Sequence, residues 1–135
     1  MYTSEDLIKI VNRSLSEISY PDKPENLYEP IRYVMSLGGK RIRPVMLLLV
    51  YNMYGKDIDE ALKVAMALEI YHNYTLLHDD LMDNADMRRG HATVHKRWNT
   101  NTAILSGDTM LVLAYKYLIS AKTDCVDELA RIFTQ

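Results

Sequence analysis

Cysteine is nearly absent. Cys125 stands alone among 135 residues, which excludes an internal disulfide and fits a reducing compartment. No apolar run approaches the roughly 20 residues needed to span a bilayer. The N-terminal MYTSEDLIKI is polar, with early acids, and lacks the pattern of a signal peptide. A cytosolic location is therefore expected. A net charge of −2 gives no general attraction to nucleic acid or anionic membrane. Neither glycine nor proline occurs between Lys56 and Arg89. Repeats, low-complexity segments and convincing strand patterns are also missing. What remains is ordinary for one globular domain with a real core: 48% hydrophobic and 25% charged residues.

The spacing of apolar residues predicts an all-helical chain. Thr3-x-x-Asp6 can cap a first helix whose inner face is Leu7, Ile10, Val11, Leu15 and Ile18. Pro21 and Pro24 break it. A second helix runs to Leu37, with Leu27, Ile31, Val34 and Met35 inward and Gly38 as terminator. Pro44 suits the first turn of a third helix, VMLLLVYNMY, which is apolar on nearly every side and closes at Gly55. Such a helix is expected to be central. A fourth, opened by the capping-box pattern Asp57-x-x-Glu60, spans Ile58 to Leu77. A fifth covers Thr102 to Ala121, and a sixth begins over Val126 to Phe133. The eight methionines and ten tyrosines fall mostly at helical spacings and read as core.

The fourth helix leads into the most unusual stretch, YHNYTLLHDDLMDNADMRRG, Tyr71 to Gly90. At 100° per residue, His72, Leu76, Asp79, Asp80 and Asp83 share an arc of about 80–100°. Asp79 and Asp83 are an i,i+4 like-charge pair, unfavourable by about 0.2–0.5 kcal/mol. A helix ending soon afterwards adds the negative end of its dipole. A hard divalent cation relieves both problems, because Mg²⁺ takes one or two carboxylates and leaves its other positions to water and phosphate. A solvated acidic helix end is the plain alternative.

Two basic clusters flank the aspartates. In LGGKRIRP, the paired glycines let backbone approach a ligand closely. Lys40 and Arg43 enter a helix N-terminus, a ready place for an anion. The second cluster is Arg88-Arg89-Gly-His91-x-x-x-His95-Lys96-Arg97. Carboxylates beside arginines are what a metal-diphosphate group requires, although either cluster alone reads as basic surface.

Three blocks, GGKRIRP, ALEIYHNYTLLHDDLMDNADMRRGHATVH and NTAILSGDTML, occur in this order from Gly38 to about Leu113. Together they resemble the trans-isoprenyl diphosphate synthases, or polyprenyl synthetases. The resemblance implies an all-α bundle around a deep hydrophobic cavity, a homodimer, and Mg²⁺ as cofactor. It implies condensation of an allylic prenyl diphosphate with isopentenyl diphosphate, with Asp79, Asp80, Asp83 and Arg88 catalytic. Asp79 and Asp83 would hold Mg²⁺, supported by Asp80, and Arg88 would grip the allylic diphosphate. Lys40, Arg43, His72 and Arg89 would bind isopentenyl diphosphate. Tyr74 and Thr75, five and four residues before the first aspartate, with Tyr71 deeper, would form the cavity floor that limits the product to C15–C20.

Remaining residues keep structural readings: Gly107 for close helix packing beside Asp108, Trp98 for packing, and His91 and His95 as loop residues. His78 is either a partner of the site or a packed interfacial histidine. The resemblance also implies a longer chain with a second aspartate-rich motif, absent here. Residues 1–135 thus read as the N-terminal part of a single synthase domain, inactive alone. An HD-type metal phosphohydrolase using His78-Asp79, and a non-catalytic subunit of a heteromeric synthase, are the alternatives.

Overall fold

The capping box at the N-terminus forms and starts the first helix. The Asp6 N–H donates to Thr3 Oγ1 at 3.2 Å and the Thr3 N–H donates to Asp6 Oδ2 at 3.0 Å. A computed structural model describes residues 2–54 and 57–135. It is all-α: α1 (Ser4–Ser16), α2 (Glu25–Ser36), α3 (Ile42–Met53), α4 (Asp59–Met82), α5 (Val94–Arg97), α6 (Thr100–Ile119) and α7 (Val126–Thr134). Between α4 and α5 lies a small antiparallel hairpin, β1 (Met87–Arg88) and β2 (His91–Ala92). No strand is expected there, since two-residue strands are too short for alternation to show.

α4 is the centre of the bundle. It packs along α6 and also meets α1, α2, α3 and α5. One ridge at i,i+4 spacing, Ala61, Ala65, Glu69, Asn73 and Leu77, is buried from end to end. Its two alanines let neighbouring helices approach closely. The α1 face closes the core with Leu7, Val11 and Leu15, and α2 contributes Ile31 and Met35.

α3 corrects the expectation of a central helix. Val45 and Leu48 are buried, but Ile42, Met46, Val50 and Met53 are 54–73% exposed. Apolarity all round permits central burial, yet packing partners decide. Among the described residues, α3 leans on α1 and α4 from one side. Its expected closure at Gly55 lies outside the described residues. The capping box at Asp57-x-x-Glu60 is a second correction. Asp57 Oδ1 accepts from the Asp59 N–H, while the Glu60 carboxylate accepts from the Tyr51 hydroxyl.

Gly107 explains how closely α4 and α6 cross. A Cβ at this position would lie 2.1 Å from His78 Nε2. The His78 ring is held there by an edge contact with Tyr74 and by its proximity to the Ile104 carbonyl, 3.3 Å away. Overpacking of this kind costs about 1–3 kcal/mol, more than the roughly 0.8–1 kcal/mol alanine gains over glycine inside a helix. Gly107→Ala is therefore expected to lower the unfolding temperature. In a His78→Ala background the clash is gone, and the same change should raise it. Thermal unfolding of the four proteins checks this, and the same sign in both backgrounds would locate the crowding elsewhere.

Candidate functional site

The loop from α2 to α3 turns on unusual backbone. Gly38 and Gly39 have φ of +75° and +151°, and Arg41 is left-handed at φ 52°. An L-residue there costs about 1–2 kcal/mol. Arg41 is nevertheless 4% exposed. Its Nη1 donates to Glu69 Oε1 at 2.6 Å and its Nε to Asn12 Oδ1 at 2.9 Å. The Arg41 carbonyl accepts from the Val45 N–H and so begins α3. The pair thus pins the start of α3 to the middle of α4, with Lys40 and Arg43 on either side.

Those cations open onto a cleft of about 540 Å³ lined by Gly39, Lys40, Arg43, His72, Arg88 and Arg89 among others. Arg43 Nη1 lies 3.2 Å from His72 Nε2. Burial, and then the Arg43 charge, hold His72 below its ordinary pKa. The ring is therefore neutral near pH 7 and Nε2 accepts from Arg43. Arg89 donates to the Gly38 carbonyl and, at 3.4 Å, to Asn73 Oδ1. Burial and then the charge of Arg41 pull its pKa down. Among the described residues, ion pairs form at Arg88 and Arg41 but not at Lys40, Arg43 or Arg89. An uncompensated cluster of this kind is a place for an anion.

The hairpin aims two adjacent arginines in different directions. Arg89 and Gly90, at φ 52° and 78°, form a two-residue turn with positive φ at both positions, the geometry that suits strand twist. Tyr33 holds the hairpin to α2 by donating to the Ala92 carbonyl at 2.7 Å. Arg88 Nε then reaches both oxygens of Asp80, at 2.9 and 2.7 Å.

This pairing divides the aspartates. Asp80 is buried and engaged with Arg88, whose Nη2 is 3.7 Å from the exposed Asp79. Asp83 caps the C-terminal end of α4, so the carboxylates do meet the negative end of its dipole. Among the described residues, no group of three or more His, Cys, Asp or Glu side chains is close enough to hold a metal ion. Asp79 and Asp83, one turn apart and exposed, still fit the sparse carboxylate set that Mg²⁺ accepts.

Of the second basic cluster, only Arg88 and Arg89 line the cleft. Lys96 pairs with Asp86 at 3.1 Å, and Arg97 sits over Tyr33 and Trp98. His91 lies on β2, and both ring nitrogens of His95 are buried without a partner. His78 turns to α6, near Ile104 and Asp108. Trp98 packs edge-on to Tyr33. Tyr71 and Tyr74 form an aromatic row with Phe133 of α7, and Thr75 donates to the His72 carbonyl. None of these three lines the larger apolar groove, about 710 Å³, that runs from Arg43 along Met46, Val50, Val64 and Leu68.

Sequence reasoning missed Arg41, Glu69, Asn73 and Asn12. A signal for two of them exists. Glu69 and Asn73 sit on the i,i+4 ridge of Ala61, Ala65 and Leu77, and polar side chains on an apolar ridge need buried partners.

The polyprenyl synthetase family model matches residues 24–135. The chain is 44% identical over 114 residues to a geranylgeranyl pyrophosphate synthase of Geoglobus acetivorans, which covers 84% of this chain and 36% of that protein. It is 39% identical over 131 residues to a farnesyl diphosphate synthase of Micrococcus luteus, covering 96% of this chain and 45% of that one. A crystal structure of a geranylgeranyl pyrophosphate synthase superposes with a TM-score of 0.94 at 42% identity, over 99% of this chain and 41% of that one. The chain thus spans less than half the length of these relatives. With this likeness over nearly all of its own length, and with the cation cleft beside the paired aspartates, the chain belongs to the polyprenyl synthetase family.

Proposed function

We propose that residues 1–135 are the N-terminal part of a single synthase domain that condenses an allylic diphosphate with isopentenyl diphosphate, giving a C15–C20 prenyl diphosphate. The observation that carries this reading is the pair of adjacent arginines. Arg88 is engaged with the aspartates and Arg89 with the glycine loop, an arrangement that supports two neighbouring diphosphate sites. Lys40, Arg43, His72 and Arg89 bind the isopentenyl diphosphate. Arg88, oriented by Asp80, grips the allylic diphosphate, and Asp79 with Asp83 would hold Mg²⁺. Mg²⁺ bound there would supply charge neutralisation to the departing diphosphate. The allylic C–O bond breaks, the isopentenyl double bond forms the new C–C bond, and the proton lost goes to the released diphosphate.

The names of the relatives, geranylgeranyl and farnesyl synthases among them, support a short-chain product. The exposed stripe Leu105, Val112 and Ile119 on α6 supports a homodimer. No helix of the described residues is long and apolar enough to cross a membrane, and the lone exposed Cys125 suits a cytoplasmic enzyme. Turnover belongs to the intact enzyme, of which these residues supply one wall.

Steady-state kinetics of the intact enzyme test the assignment. Lys40→Ala and Arg43→Ala are expected to raise KM for isopentenyl diphosphate more than for the allylic partner, each contact being worth roughly 1.5–3 kcal/mol. Arg88→Ala should show the reverse preference. Equal weakening of both substrates by all three would refute the separate sites.

The neutral His72 gives a pH signature. Its imidazole should titrate below the ordinary histidine value in the free protein and move upward when inorganic diphosphate binds. Binding then takes up protons between the two pKa values, so affinity rises as pH falls through that window. An NMR titration that found the free value at or above the ordinary one would contradict the Arg43–His72 geometry.

Product length is the third test. Five residues of helix separate Tyr74 from Asp79 by about 7.5 Å, and eight separate Tyr71 by about 12 Å. We expect a C20 product limited by Tyr74, with Thr75 and Tyr71 beside it. Tyr74→Ala should lengthen the product. An active variant with the original chain length would make Tyr74 ordinary core.

A further inference from the structure

Arg89 belongs to a ring of hydrogen bonds, closed through the backbone from Gly38 to Arg41, that lies beside Lys40 and Arg43. Arg89 donates to the Gly38 carbonyl and to Asn73 Oδ1. Asn73 Nδ2 donates to the Glu69 carbonyl at 2.8 Å and to Glu69 Oε1 at 3.2 Å. The same Oε1 receives Arg41 Nη1 at 2.6 Å, and Arg41 is three residues from Gly38. Glu69 Oε1 thus holds the Arg41 end of the glycine loop directly and the Gly38 end through Asn73 and Arg89. Arg41, Glu69 and Asn73 are 4%, 2% and 1% exposed.

Stability does not call for this arrangement. A buried ion pair is often no better than well-packed apolar side chains of similar volume, and Arg41 adds a left-handed backbone. What the ring supplies is position. His72 and Asn73 lie three and four residues after Glu69, so Arg43 at His72 and Arg89 at Asn73 are both referenced to the turn that Glu69 begins. Gly39 belongs to the same fit, because a Cβ there would stand 3.0 Å from Arg89 Nη2.

We propose that Glu69, acting through Arg41 and Asn73, is a positioning residue that holds Arg43 and Arg89 together on the cleft so that both meet one diphosphate group. This rests on the reading of the cleft as the isopentenyl diphosphate site.

The test uses the intact enzyme with Glu69→Gln, Asn73→Ala and the double variant Arg41→Met/Glu69→Met. Displacing groups that hold a substrate equally in its ground and transition states raises KM and leaves kcat. Glu69→Gln should raise KM for isopentenyl diphosphate by about tenfold or more, with kcat and the KM for dimethylallyl diphosphate within about threefold. Asn73→Ala, which leaves the ion pair intact, should act in the same direction through Arg89. The double variant should recover thermal stability but not KM. Recovery of both together, or an equal rise in both KM values, overturns the proposal. Should Glu69→Gln fail to fold, Asn73→Ala decides alone, and an unchanged isopentenyl KM overturns it.

Calorimetry with inorganic diphosphate separates this from the functional reading. Wild-type binding without prenyl transfer would sink that reading yet still test the ring. Weaker binding in Glu69→Gln would then support it, and unchanged binding would overturn it. No wild-type binding at all would end both.

Discussion

The ion pair between Arg41 and Glu69 is the constraint on which the substrate face depends. Its energetics are asymmetric. Removing one partner from a buried pair costs about 3–5 kcal/mol, because the other charge is left without compensation. Forming the pair gains far less than that figure suggests, since both ions first leave water. The pair is therefore a strong geometric lock and a weak glue. It holds a left-handed Arg41, begins α3 at a fixed height on α4, and leaves Lys40 and Arg43 outside the lock, with no carboxylate partner among the described residues.

The same logic of incomplete neutralisation runs through the neighbouring aspartates. Arg88 satisfies Asp80 with two hydrogen bonds and leaves Asp79 and Asp83 exposed at the unfavourable end of a helix. On one side, then, stand carboxylates without enough cations, and on the other, cations without carboxylates. The folded chain does not cancel them against each other, because the hairpin places only Arg88 between the two sets. A ligand bearing multivalent anion, with divalent cation, would cancel both. That mutual deficit supports the diphosphate reading more strongly than any one side chain does.

Much of this was legible in the sequence, for local reasons. Thr3 and Asp6 formed their box because both halves of that motif lie within one turn. Gly38 ended α2 where a left-handed residue was needed, and Gly107 marked a close crossing. The structure departs from the sequence pattern where an outcome depends on distant partners. Asp57 and Glu60 carried the right letters, yet Tyr51 from α3 captured the Glu60 carboxylate. The composition of α3 points to a central helix, but α4 holds that place through an alanine ridge that looks unremarkable beside VMLLLVYNMY. The turn at Arg89-Gly90 lacked the asparagine or aspartate that advertises such hairpins. Glu69 resembled any helical glutamate, since only its register with Ala65 and Leu77 betrays burial.

The exposed face of α3 has its own place in this scheme. Arg43 borders both the cationic cleft and the apolar groove, and residues 46 and 50 continue from it at helical spacing. One helix therefore offers a charged end and, a turn later, a hydrocarbon-compatible side. α3, apolar over most of its length, is then less a failed core helix than an exposed wall. Its first turn is fixed by Arg41, so the same ion pair that spaces the cations also sets where the apolar surface begins.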